Sequence, residues 1–216
     1  RAKIEQSPMG AYQWMIVVMA AIMNLLDGFD VLALAFTATA IRGEFGLTGI
    51  ELGYLLSAGL FGMTAGSLFL APLADKIGRR PLLLMAVSLS AIGMLGSAFI
   101  SQYQWLGFWR VITGLGVGGI LVGTNVITSE YSSRKWRSFA ISVYAAGFGI
   151  GAVLGGMFAV MLQGEYGWRS VFLAGAILTG LLLVVLFIWL PESIDFLTSK
   201  QPKNAEVRLN LIAKKI

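Results

Sequence analysis

The chain has 216 residues, of which 57% are hydrophobic and only 12% charged, with a formal net charge of +5 and a mean hydropathy of +0.79. Soluble domains carry about 25% charged residues, and a soluble fold of this length could not cover so much apolar surface. The absence of Cys and His excludes disulfides, thiolate metal sites and any imidazole relay or triad.

Six apolar runs are each long enough to cross a bilayer, which takes about 20 residues. They lie near 12–41, 52–74, 82–100, 106–129, 139–162 and 171–190. The first is too long, and lacks the small-residue cleavage pattern, for a cleavable signal peptide. It contains Leu26-Asp27-Gly28-Phe29-Asp30-Val31, which places two carboxylates near the membrane middle. A bare charge there costs at least about 2.5–3.5 kcal/mol. Asp27 and Asp30 are therefore read as a proton or substrate site, against the plainer reading of a structural pair satisfied by a buried Arg. Asn24 lies one turn before Asp27 on much the same face.

The second span carries Tyr54, Gly62 and Gly66, and is followed by a loop with Asp75, Lys76, Gly78, Arg79 and Arg80. Span four carries Arg110 and Asn125, and its Gly114, Gly118, Gly119 and Gly123 stand at four-residue spacings. Gly147, Gly151 and Gly155 do the same in span five, which also holds Tyr144. Such small residues let helix backbones approach closely in lipid, and flexing during a transport cycle is compatible with that role. The string 114–119 fits G-x-G-x-x-G, but it sits inside an apolar span with no strand before it and no acidic residue about twenty positions on, which excludes a dinucleotide site.

Six crossings put both ends on one side. That side collects Arg1 and Lys3, then Lys76, Arg79 and Arg80, then Arg134, Lys135 and Arg137, and finally Lys200, Lys203, Arg208, Lys214 and Lys215. The other side keeps Arg42 and Arg169. The positive-inside rule places both ends in the cytoplasm, and this bias explains the net charge without invoking nucleic acid. After Pro191 the chain turns polar. Residues 204–216 read as a short amphipathic helix capped by Asn204, with Val207, Leu211, Ile212 and Ile216 on one side. The organisation is an N-terminal tail at 1–11, a six-helix bundle at 12–190 and the start of a linker at 191–216.

Leu73-Ala74-Asp75-Lys76-Ile77-Gly78-Arg79-Arg80 resembles the signature loop of the major facilitator superfamily. Arg110 with Gly114 and Gly116 is similar to that superfamily's fourth-helix motif. Glu130 with Arg137, and Pro191-Glu192-Ser193, resemble motifs of its sugar-porter-like members. Asp27-Gly28-Phe29-Asp30 resembles the Asp-Gly-x-Asp motif of the aromatic acid:proton symporter family, most closely its carriers of aromatic acids and muconate. The resemblance implies an all-α membrane protein, six helices forming one half of a twelve-helix fold, in a bacterial inner membrane. It implies a proton-coupled symporter without enzymatic activity, metal or cofactor, whose partners are the proton, a small organic acid, the bilayer and a second six-helix half. Asp30 becomes the proton carrier, with Arg110 as its partner and Asp27 beside it. Asp75, Gly78, Arg79, Arg80, Glu130, Arg137 and Glu192 become a cytoplasmic gating network, the alternative being a solvated basic loop.

Depth permits the central pairing. Asp30 lies roughly 16 Å inward from Ile41, and Arg110 near 6 Å from the outer end of its span, at about 1.5 Å per residue. Helix tilt and the long Arg side chain are expected to close the remaining offset of about 10 Å. Asp27, Asn24, Arg110, Asn125 and Tyr144 are substrate-contact candidates; Thr37 and Tyr54 are weaker ones. For Arg110 a purely structural role, and for each polar residue ordinary packing, is the competing reading. A sugar or other metabolite porter, or a non-transporting six-span scaffold, are the competing functions.

Overall fold

A computed structural model describes residues 9–201 and 205–215. Among these residues there are eight helices and no strand. The six spans are α1 (Ala11–Phe45), α2 (Gly49–Ile77), α3 (Arg79–Ala98), α4 (Tyr103–Tyr131), α5 (Arg137–Tyr166) and α6 (Arg169–Trp189). Two short helices follow, α7 (Ile194–Lys200) and α8 (Ala205–Lys215). All six are long and apolar enough to cross a membrane. Most extend past their apolar runs, because in water-facing end turns the backbone bonds are kept by caps rather than by hydrophobicity. Gly46, in the left-handed region at φ 62°, stops α1. Thr48 and Glu51 then form a reciprocal cap that starts α2.

The closest packing is of α1 on α5 and α2 on α4, with α3 lodged on α4 and α6. The apolar windows of α1 and α4 are both 61% buried by these helices, against 17% for α2 and 22% for α5. Thus α1 and α4 are central, while α2 and α5 leave broad faces uncovered. Glycine makes the tight pairs possible. A Cβ on Gly151 of α5 would strike the Leu25 main chain of α1, and one on Gly118 of α4 would strike the Met63 carbonyl of α2.

The apolar core is split in two. One cluster, toward the end bearing both termini, includes Met23, Val87, Ile120, Tyr144 and Leu182. The other, toward the opposite end, includes Phe29, Met94, Leu106, Phe172 and Ala176. Between them, on α1, α3, α4 and α6, lie Asp27, Ser90, Thr113 and Thr179, with Asp30 and Arg110 at the edge of the second cluster, all buried. The bundle therefore carries a polar layer at mid-depth.

The tail holds one helix that the sequence pattern did not mark, and one expectation for it needs correction. Residues 194–200 form a separate helix, α7, started by Ser193, whose Oγ accepts from the Phe196 amide at 3.1 Å. In α8 the packed side is Ala205, Leu209 and Ile212, which join the core. Val207 and Leu211 are exposed at 59% and 55%. They are exposed because α8 packs on α7 along the Ala205, Leu209 and Ile212 side rather than the side the sequence pattern marked. Asn204, its expected cap, lies outside the described residues, as do Arg1, Lys3, Lys203 and Ile216, and the side chains of Arg208, Lys214 and Lys215.

Candidate functional site

Asp30 sits on the central helix α1 with 1% of its surface exposed. Its Oδ2 accepts a hydrogen bond from Ser90 Oγ of α3 at 2.6 Å. Its Oδ1 is buried and makes no hydrogen bond of good geometry, although the Thr179 hydroxyl of α6 lies near the carboxylate; this oxygen is 3.3 Å from the position a Cβ on Gly175 of α6 would occupy. Glycine at 175 leaves that carboxylate oxygen its space. Arg110 of α4, also buried, reaches residue 30 through the main chain: its Nη1 donates to the Asp30 carbonyl at 3.1 Å. Its Nη2 donates to Ser97 Oγ at 3.2 Å, Thr113 Oγ1 at 3.0 Å and Met94 Sδ at 3.0 Å. The guanidinium carbon lies 4.9 Å from the Phe172 ring centroid, within cation–π range.

Depth brings Asp30 and Arg110 together, but no direct contact joins guanidinium to carboxylate. The guanidinium is held toward the Ser97 and Thr113 hydroxyls and the face of Phe172, while Ser90 takes the carboxylate. The arrangement is poised: one carboxylate oxygen is unbonded and the neighbouring cation is held by neutral groups. A cavity of about 30 Å³ touches Asp30, Arg110, Thr113, Leu55 and Gly59 between α1, α2 and α4. That is room for a water molecule, and although most of the lining is apolar, Asp30, Arg110 and Thr113 supply polar partners for one.

Asp27 and Asn24 face α5 instead. Asn24 Nδ2 donates to the Tyr144 carbonyl at 2.9 Å. The Tyr144 hydroxyl accepts from Thr124 Oγ1 at 3.1 Å and donates to the Leu121 carbonyl at 3.3 Å. Asp27 Oδ2 and Asn24 Oδ1 are buried without hydrogen-bond partners. Asp27 stands one helical turn from Asp30, close enough for the two carboxylates to repel each other, and its link toward α5 is its nearness to Tyr144. Asn125 is exposed on α4 and does not join either group. Thr37 bonds the carbonyls of its own helix at Ala33 and Leu34, and Tyr54 is 71% exposed.

At the end carrying the termini, Asp75 pairs with Arg79 at 2.6 Å. Glu192 Oε1 accepts from the amides of Arg79, Arg80 and Ser193 at 2.8, 3.0 and 3.0 Å, so it caps α3, where a carboxylate is favoured by the helix dipole. Gly78, at φ 103°, both turns the chain and clears space, because a Cβ there would lie 2.7–3.0 Å from the Glu192 carboxylate. Glu130 accepts from Ser193 Oγ at 2.7 Å and the Ile194 amide at 2.9 Å, and so holds the start of α7. Tyr131 adds a bond from its hydroxyl to the Glu192 carbonyl at 2.7 Å. Arg137 opens α5 at this same end. Arg80 meets this cluster through its amide, while its side-chain Nη2 donates to the Phe187 carbonyl of α6 at 2.6 Å.

Sequence reading passed over Ser90, Met94 and Ser97. Their spacing of four and three puts them on one face of α3, and polar hydroxyls inside an apolar span were the available signal. It also passed over the far-end clasp in which Arg169 grips Glu44 with two bonds of 2.7 and 2.9 Å and Trp168 Nε1 adds one of 2.6 Å. That clasp needs α1 and α6 to meet, which no local pattern reveals.

Residues 20–213 match the family model described as Major Facilitator Superfamily. The chain is 36% identical over 204 residues to a gallate transporter of Pseudomonas putida, covering 94% of this chain and 45% of that protein. It is 35% identical over 208 residues to the 4-hydroxybenzoate transporter PcaK of Pseudomonas putida, covering 96% and 46%. It therefore spans about half the length of these curated relatives. Its fold is that of the xylose transporter XylE from E. coli in a partially occluded inward-open conformation, with a TM-score of 0.83 at 22% identity over 95% of this chain and 56% of that one. The bundle, its mid-depth polar layer and these matches agree: the chain belongs to the Major Facilitator Superfamily, as an integral membrane bundle of six helices corresponding to half of such a transporter.

Proposed function

We propose that this chain is the N-terminal half of a proton-coupled symporter that imports a small organic anion, such as an aromatic acid or muconate, by alternating access. The observation that carries this reading is the buried Asp30, with one oxygen unbonded, beside an Arg110 anchored by neutral groups. Asp30 takes up and releases the proton. Arg110 supplies the counter-charge for the substrate carboxylate, because a guanidinium matches a carboxylate in bidentate fashion. Asn24, Asp27 and Tyr144 shape the α1–α5 side of the site, and Asn125 meets substrate from the uncovered face of α4.

Asp75, Gly78, Arg79, Arg80, Glu130, Arg137 and Glu192 form the gating network. It sits on the cytoplasmic side of a bacterial inner membrane together with both ends of the segment, in keeping with the basic-residue bias. The uncovered faces of α2 and α5 meet a second six-helix half. The hydroxybenzoate and gallate specificity of the relatives supports the substrate class. Counterflow of labelled 4-hydroxybenzoate, muconate and xylose by the reconstituted full-length protein tests it. Uptake of an organic acid that is lost in Arg110→Ala is expected. Uptake of xylose alone would replace this reading with a sugar porter.

A further inference from the structure

An open apolar groove of about 680 Å³ runs between α3 and α6 in the half of the bundle nearest the termini, lined by Leu84, Ser88, Ile92, Leu183 and Phe187 among others. From Leu84 to Ile92 it follows α3 for about 12 Å at 1.5 Å per residue. Phe187 is 66% exposed and Ile92 52% exposed, so nothing in the bundle fills it. Arg80 stands at its end. The Arg80 guanidinium bonds the Phe187 carbonyl and lies 5.9 Å from that residue's ring centroid.

Arg79, one residue earlier, pairs with Asp75, whereas among the described residues Arg80 has no carboxylate partner. The amides that start α3 are already taken by Glu192, so the side chain is the cationic group left to meet a ligand. Its planar fork suits a phosphate, and one bond to a carbonyl leaves donors for it. Asp75 and Glu192 already accept from Arg79, Arg80 and Ser193, so a headgroup ammonium would compete with these donors whereas a phosphate meets the Arg80 side chain directly. We propose that this groove binds one acyl chain of an anionic phospholipid whose phosphate is held by Arg80. A basic side chain between membrane helices at the interface is the recognition chemistry such lipids require.

The test is lipid retention by the purified full-length protein in detergent, followed by native mass spectrometry with phosphatidylglycerol, phosphatidylethanolamine and glycerol phosphate as separate probes. Phosphatidylglycerol is expected to be retained, and to fall at least five-fold in Arg80→Gln and in Ser88→Trp, which fills the groove. Retention of phosphatidylethanolamine to the same degree, full displacement by glycerol phosphate, or unchanged retention in either variant overturns the proposal. Should a variant fail to fold, phosphatidylglycerol with a photoreactive acyl chain decides on the unaltered protein. Adducts on residues 84–92 and 183–187 support the site, and adducts confined elsewhere overturn it.

Discussion

Gly151→Ala isolates what close helix approach contributes. The added methyl would fall on the Leu25 carbonyl, 2.6 Å from its carbon and 2.8 Å from Leu25 Cα. These are main-chain atoms of α1, so no rotamer change relieves the clash and the two helices must separate. Overpacking of this kind costs about 1–3 kcal/mol, which at about 1.4 kcal/mol per decade is a roughly 5- to 140-fold loss in the folding equilibrium. The same substitution two residues earlier is the control: a Cβ on Gly149 meets nothing within 4 Å. Gly149→Ala is expected to be neutral or to stabilise by up to about 1 kcal/mol through helix propensity. Reversible unfolding in mixed micelles, read by tryptophan fluorescence, measures both. Equal stability of the two variants would refute the claim that glycine sets the α1–α5 distance.

At the terminal end, Glu130→Gln removes the charge that Ser193 Oγ and the Ile194 amide bind. Charge-assisted bonds of this kind are worth about 1.5–3 kcal/mol, so amide exchange over 193–200 should rise about tenfold or more; unchanged exchange would show that α7 is held elsewhere. Asp75→Asn breaks an ion pair whose carboxylate side chain is 67% exposed, so its effect on stability should stay below about 1 kcal/mol. Its effect should instead appear as a shift in the inward/outward ratio, measured by distances between spin labels on helix ends in the full-length protein. An unaltered ratio would remove the Asp75–Arg79 pair from the gating network.

The six spans and the mid-depth placement of Asp27 and Asp30 were legible because lipid imposes a one-dimensional code of long apolar runs and costly charges. The near meeting of Asp30 with Arg110 was legible from the family resemblance, with depth permitting it only across an offset of about 10 Å. How they meet was not, because the choice between carboxylate and carbonyl depends on Ser90, Ser97 and Phe172 arriving from α3 and α6. Helix α7 escaped for a related reason: seven residues give no usable periodicity, and its start is fixed by Glu130, more than sixty positions away in sequence. The burial side of α8 was not legible because its pattern admits two faces, and only packing on α7 selects one.

The central claim is that Asp30 couples the movement of substrate to that of a proton, and Asp30→Asn in the reconstituted full-length protein tests it most directly. Concentrative uptake driven by a pH gradient needs a group that gains and loses a proton, whereas exchange at equal pH needs only alternating access. The account predicts that accumulation is abolished while exchange of labelled 4-hydroxybenzoate persists. An Asp30→Asn protein that still accumulates substrate with normal pH dependence would contradict it.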